Sequence, residues 1–243
     1  MAKEKNLNTM PLSSWYNEES LIATEYRRLF AKIRHLNPKK EIKNLLITSA
    51  TMSEGKSTAA TLMAITICKY RNTPTLLIDC DLRRPTIHNI FDIEQQDGFI
   101  DVAIGKKSLK SLLKDTFVPK LKVLTSGELT RNPSDIFNEM NLKDLFTEFK
   151  FYFDTIVVDC SPTIPVSDPL ILSPELDGAL LVVKAGKTPR ELVKRASDLL
   201  KDAGIKIFGV ILNNMEDVLP YYYSYRYGYQ QYQTNIKKTK LSL

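Results

Sequence analysis

The 243 residues of this chain, 43% hydrophobic and 26% charged, suffice for the core of one α/β domain and exclude a disordered or fibrous protein. No apolar run approaches the ~18 residues of a membrane-crossing helix, and the polar start Met1-Ala2-Lys3-Glu4-Lys5 lacks a secretory core, so a cytoplasmic location is expected. Three scattered cysteines (Cys68, Cys80, Cys160) and two isolated histidines (His35, His88) exclude a disulfide framework, a zinc site and a His-based triad, while the net charge of +6 includes a solvated-terminus run, Lys237-Lys238-Thr239-Lys240, with no nucleic-acid partner expected.

Residues 1–20 are polar and read as a flexible N-terminal segment. Leu21 to Leu36 follow as a helix, with Leu21, Ile22, Tyr26, Leu29, Phe30, Ile33 and Leu36 at helical spacing and Pro38 beyond its end. A strand over Asn44–Ser49 leads through a short loop to a helix over Lys56–Tyr70, and a strand over Thr75–Asp79 comes next. Further strands are predicted over Lys122–Thr125, Thr155–Asp159, Ala179–Val183 and Ile207–Leu212, with helices over Ser134–Lys150 and Pro189–Ala203. Thr188 at the N-cap, Pro189 in the first turn and Glu191 make a capping box for the last helix, and Gly204 ends it. Most strands are continuous runs of Ile, Val and Leu, as in strands buried on both faces. The alternation predicts an α/β fold with a doubly wound, mostly parallel sheet over residues 21–215 and ligands at the strand C-termini. Residues 216–243 read as a flexible tail. Tyr221, Tyr222, Tyr223, Tyr225, Tyr227, Tyr229 and Tyr232 are seven of the chain's 11 tyrosines, and no Leu, Ile or Val stands among them to build a core.

The loop after the first strand, Ala50-Thr51-Met52-Ser53-Glu54-Gly55-Lys56-Ser57, has the chemistry of a phosphate cradle. Gly55 lets backbone N–H groups turn toward a ligand, and the new helix adds its N-terminal N–H groups and dipole. Lys56 can reach terminal phosphates and the Ser57 hydroxyl can ligate Mg²⁺. Such a P-loop needs an acidic partner at a neighbouring strand end. Leu76-Leu77-Ile78-Asp79-Cys80-Asp81 and Ile156-Val157-Val158-Asp159 both supply carboxylates there, costly to bury without a cation. In the pair Asp79 and Asp81, one carboxylate can help hold a metal while the other accepts a proton from an attacking hydroxyl. Water as nucleophile gives an ATPase and a side-chain hydroxyl gives a kinase; these residues leave both open. The run of phenols in the same chain favours tyrosine as the acceptor.

Together these stretches resemble the bacterial tyrosine kinases of the capsular and exopolysaccharide type, over roughly Thr24 to Tyr232. The resemblance rests on the Walker A stretch Ala50–Thr58, the Walker A′ stretch Leu76–Pro85 with Asp79-x-Asp81-x-Arg83, and Gly98-Phe99-Ile100-Asp101-Val102. It also rests on Leu124–Gly127 with Asn132-Pro133-Ser134, the Walker B stretch Phe153–Asp159, Asp177-Gly178 through Gly186-Lys187-Thr188, Gly209–Asn213 and the tyrosine cluster. It implies ATP and Mg²⁺ as cofactors and autophosphorylation of the tail tyrosines in trans within a homo-oligomeric ring. Nucleotide contacts are implied for Ser53, Glu54, Gly55, Lys56, Ser57, Thr58 and Asn213, metal contacts for Ser57, Asp79 and Asp159, and a catalytic role for Asp79 as base with Lys56 and Asp81. A separate transmembrane activator holding the chain at the inner membrane face, a tyrosine phosphatase, and control of capsular or exopolysaccharide synthesis and export are implied as well. The alternatives are a partition or septum-site ATPase, which would carry an extra lysine early in the loop where Thr51-Met52-Ser53 stand, and a nucleotide-bound scaffold without catalysis. The chain departs from the family pattern at Met52-Ser53, at Leu62 and at Cys160-Ser161-Pro162. Its ring-assembly pattern Glu-x-x-Arg-x-x-Arg is incomplete in both registers, Thr24, Arg27, Phe30 and Glu25, Arg28, Ala31.

Overall fold

Runs such as Asn-Leu-Leu-Ile-Thr-Ser and Thr-Ile-Val-Val-Asp-Cys have no polar face to turn to water, so they belong in the middle of a sheet covered on both sides. The computed structural model, which describes residues 11–14, 16–36, 41–129 and 131–214, places them there. In chain order the elements are α1 (Leu21–Leu36), β1 (Asn44–Ser49), α2 (Lys56–Arg71), β2 (Thr75–Cys80), α3 (Ile87–Phe91), α4 (Phe99–Ala103), α5 (Leu109–Leu112), β3 (Lys114–Asp115) and β4 (Leu121–Leu124). Then come α6 (Pro133–Glu139), α7 (Leu142–Tyr152), β5 (Thr155–Cys160), α8 (Asp168–Leu172), β6 (Gly178–Lys184), α9 (Arg190–Asp202) and β7 (Ile207–Asn213). The seven strands are ordered β3-β4-β2-β5-β1-β6-β7, all pairs parallel except β3 with β4. Every residue of β1, β2 and β5 is buried. The winding reverses beside β1, which leaves a crevice at the C-terminal strand ends.

One core layer lies between the sheet and α1, α2 and α3, with Phe30, Met63, Ile65 and Ile67 at its centre. The other lies under α4 to α9 and holds Phe99, Phe137, Phe146 and Phe149. Helix α2 is buried on nearly every side, and Phe30 of α1 meets its Tyr70 edge-on at 5.5 Å between ring centroids. Its first turn therefore sits on rigid packing. The three cysteines are buried free thiols. Ahead of α1, Leu12 is fully buried in the α2 layer, so the packed core reaches back beyond residue 20. Among the described residues no helix is long and apolar enough to cross a membrane. The seven tyrosines from Tyr221 to Tyr232 and the lysine run near the C-terminus lie outside the described residues.

Two sequence expectations need correction. The single helix over Ser134–Lys150 is two helices. Met140 is extended (φ −80°, ψ 145°), and Asn141 caps α7 by accepting the Asp144 N–H at 3.3 Å, as Asn132 caps α6 through Ser134 at 3.2 Å. Helical periodicity carries across that joint because both pieces cover the same core. The capping box on α9 is absent: Pro189 stands at the N-cap without a side-chain cap bond, and the Thr188 hydroxyl donates to Glu54 Oε1 at 2.6 Å. A tertiary acceptor has displaced the local one. Gly204 does end α9, with φ +81° and its N–H on Lys201 O at 2.8 Å.

Candidate active site

Between β1 and α2 the backbone turns through two left-handed positions, Ser53 at φ +60° and Gly55 at φ +89°. The left-handed backbone of Gly55 favours glycine, and a Cβ there, 2.1 Å from Asn213 Nδ2, would push the Asn213 side chain off the loop. Glu54 is buried, and its carboxylate is turned back on the loop, where it accepts the Ala50 N–H at 3.2 Å and the Thr51 hydroxyl at 2.7 Å. Asn213 at the end of β7 donates from Nδ2 to Glu54 O at 2.9 Å. Ser53 is exposed on the loop, while Lys56, Ser57 and Thr58 form the first turn of α2. The long helix thus opens onto the crevice with free N–H groups and the positive end of its dipole.

The strand register brings the acidic residues together. Asp79 and Asp159 are direct neighbours on β2 and β5, and Ile47 of β1 pairs with Asp159 on its other side. Asp81 lies just past β2, its Oδ2 2.6 Å from Lys56 Nζ and its Oδ1 accepting the Ser161 hydroxyl at 3.0 Å and the Arg84 N–H at 3.2 Å. Asp79 accepts the N–H groups of Thr86 and Ile87 at Oδ2, each at 3.0 Å, and that of Asp81 at Oδ1 at 3.2 Å. Burial nonetheless pushes Asp79 up to about 7, with Asp81 adding repulsion and the backbone donors opposing it. Asp159 has neither exposure nor a hydrogen-bond partner of good geometry for either oxygen. Burial raises it well above the carboxylate range, while Lys56 and the nearby Ser57 hydroxyl offset part of the rise. Burial also disfavours the Lys56 ammonium, but Asp159, Asp81 and Asp79 outweigh it and hold the lysine above its ordinary value.

These groups are fit for magnesium. An orphaned buried carboxylate, Asp159, stands by a helix-start hydroxyl, Ser57, in the field of two more carboxylates. One or two such protein ligands, completed by water and phosphate oxygens, are how Mg²⁺ is commonly held in nucleotide sites. Asp79 is less free to ligate, since three backbone donors already fix it.

Three residues near the site are given no role in it by the sequence reading, which takes Thr188 as a helix cap, Ser161 as a departure from the family pattern, and passes over Asp168. Ser161 is held on Asp81, Asp168 is a buried carboxylate with Arg83 Nε 3.5 Å away, and Thr188 reaches Glu54. Ser161 and Thr188 follow β5 and β6 directly or within four residues and Asp168 opens α8 after β5, and that placement beyond the C-terminal end of the sheet is the signal that marks them.

No protein-family model matches the chain. It is 35% identical to "Putative tyrosine-protein kinase CapB" of Staphylococcus aureus, over 93% of this chain and 99% of that one. The chain belongs to the bacterial tyrosine-protein kinase family. It is likewise 33% identical to "Tyrosine-protein kinase YwqD" of Bacillus subtilis over 80% of its length and 82% of the relative's. The solved kinase domain of Escherichia coli tyrosine kinase ETK superposes on this kinase with a TM-score of 0.78 at 26% identity, covering 88% of this chain and 83% of that one. The septum-site protein MinD of Pyrococcus horikoshii matches at TM-score 0.59 and 19% identity, over 70% and 69% of the two chains, and shares the P-loop fold.

Proposed function

We propose that this tyrosine-protein kinase uses Mg-ATP to phosphorylate its own C-terminal tyrosines, Tyr221, Tyr222, Tyr223, Tyr225, Tyr227, Tyr229 and Tyr232, on a neighbouring copy. The observation that carries this reading is the meeting of Lys56 with three buried carboxylates, one of them without a partner, at the mouth of the phosphate loop. Lys56 exchanges Asp81 for phosphate oxygens, and the Ser53–Thr58 backbone with the α2 N-terminus cradles the rest of the phosphate chain. Ser57 and Asp159 would hold magnesium, which when bound would supply positive charge to the phosphate oxygens. Asp79, titrating at about 7, accepts the phenolic proton as the tyrosine oxygen bonds to phosphorus and the diphosphate oxygen leaves. Asp81 is then free to position the incoming phenol. Asn213 braces the loop beside the nucleotide.

The wider setting is part of the same reading. A separate transmembrane protein recruits the chain to the inner membrane face and activates it, and a tyrosine phosphatase reverses the modification. The chain assembles with itself through the outer face of α1, where Arg27, Arg28 and Ala31 are exposed while Phe30 is turned into the core. Accumulating phosphate charge on the tails then drives the copies apart, regulating capsular or exopolysaccharide synthesis and export.

Transfer in trans is tested by mixing two variants with Mg-ATP: a Lys56→Met chain with an intact tail, and an active chain whose seven tail tyrosines are phenylalanine. Phosphotyrosine on the Lys56→Met tail is the expected result. An unmodified Lys56→Met tail beside a self-phosphorylating natural chain would show transfer in cis instead.

A further inference from the structure

We propose that Thr188 is a positioning residue for the phosphate loop, acting through Glu54 to set how tightly Mg-ATP is held; this rests on the kinase reading of the same loop. Glu54 is 2% exposed, and its carboxylate is held by three neutral donors. Two of them, the Ala50 N–H and the Thr51 hydroxyl, belong to the start of the loop itself and close it on itself. The third comes from 134 residues further along the chain: Thr188, between β6 and α9, donates its hydroxyl to Oε1 at 2.6 Å. Asn213, at the end of β7, takes the Glu54 carbonyl at 2.9 Å. The loop is therefore gripped from both sides of β1. Asp81 and Asp159 reach it from the β2 and β5 side through Lys56, and Thr188 and Asn213 from the β6 and β7 side through Glu54.

Glu54 immediately precedes Gly55, the left-handed residue at which the backbone turns to present Lys56 and the first N–H groups of α2. Anything that lets the Glu54 side chain swing changes the aim of those donors. The Thr188 hydroxyl has an obvious local use as a cap on α9, and the structure sends it to Glu54 instead. Without it, Oε1 keeps only the Thr51 hydroxyl of its two donors, and a buried carboxylate that loses a hydrogen bond is less firmly held. Loss of the bond loosens the loop before nucleotide arrives and leaves the carboxylates that carry the chemistry in place.

The test compares Thr188→Val, Thr188→Ser and Glu54→Gln in the full chain, by calorimetric Mg-ATP affinity, ATP KM and kcat, and thermal midpoint without nucleotide. Thr188→Val should weaken Mg-ATP about five- to ten-fold, the loss of one charge-assisted hydrogen bond, raise KM in step and leave kcat within about twofold. Thr188→Ser should restore affinity to within about twofold, and Thr188→Val should add little once Glu54→Gln is present. Unchanged affinity in Thr188→Val, with or without a lower midpoint, overturns the proposal, and so does failure of Thr188→Ser to restore it in a folded chain. Absence of phosphotyrosine in all variants, with the affinity pattern as expected, would instead overturn the kinase reading and leave Thr188 in its role.

Discussion

Asp159 sits at the buried end of β5 without a well-formed hydrogen bond to either oxygen, and Lys56 and Ser57 offset only part of the cost of burying it. Its raised pKa means that the unfolded chain gives up this proton at lower pH than the folded one. The folded state of the metal-free, nucleotide-free protein is therefore penalised progressively as pH rises above the ordinary carboxylate range. Asp159→Asn removes that penalty. Its thermal midpoint should exceed that of the natural chain by roughly 2–4 °C at pH 8, the shift that about 1 kcal/mol gives in a domain of this size, with the gain shrinking toward pH 5. Magnesium-dependent nucleotide binding should be lost in the same variant. A midpoint that falls, or a gain independent of pH, would mean that Asp159 is satisfied in some other way. Asp79 differs because three backbone N–H groups hold it. A residue type at a strand end can be read from sequence, but what surrounds its carboxylate cannot, because those donors come from a turn and a short helix, α3, with no periodic signal.

Among the elements, the buried strands were legible to within a residue or two because an unbroken run of Val, Ile and Leu has one stable place in such a fold. The joint at Met140-Asn141 was hidden, since α6 and α7 present apolar residues to one core, Ile136 and Phe137 from the first, Leu145, Phe146 and Phe149 from the second. Asn141→Ala should lower stability by about 1 kcal/mol, the usual value of an N-cap, as a midpoint shift without change in ATP KM. The edge strand β3, two residues of Lys-Asp, has no apolar pattern at all; pairing with β4 makes it. Gly98 shows a motif glycine used for packing. A Cβ there would lie 2.1 Å from Thr125 O and 2.4 Å from Gly127 N, while its own N–H is held by Asp101 at 2.9 Å. Gly98→Ala should cost about 1–3 kcal/mol through overpacking, read in denaturant unfolding, and a neutral result would mean that the β4 end loop is softer than its hydrogen bonds to α4 indicate.

For the molecule as a whole, the sequence names both halves of the candidate site, the phosphate loop and the carboxylates, and the sheet order explains why these distant segments meet: β2, β5, β1 and β6 are neighbours. Thr188 was misread as a helix cap because its partner, Glu54, becomes adjacent only when β6 lies beside β1. Assembly is a whole-molecule property too. Arg27 and Arg28 are exposed on α1, where Arg27 donates to Glu18 O at 2.7 Å and Thr24 Oγ1 at 2.8 Å and Arg28 pairs with Glu25 at 2.6 Å, surface contacts worth little to the fold. Reversing both charges (Arg27→Glu with Arg28→Glu) should reduce the assembly to smaller species in light scattering while the midpoint moves by about 1 °C or less. The proposed transfer depends most on Lys56 and its carboxylates acting together on a phenol. Mass spectrometry of the C-terminal peptide, from chain isolated with its cellular partners in natural and Lys56→Met forms, tests this most directly: phosphotyrosine between Tyr221 and Tyr232 is predicted in the natural chain and not in the variant, and a tail unmodified in both, or modified equally in both, would contradict it.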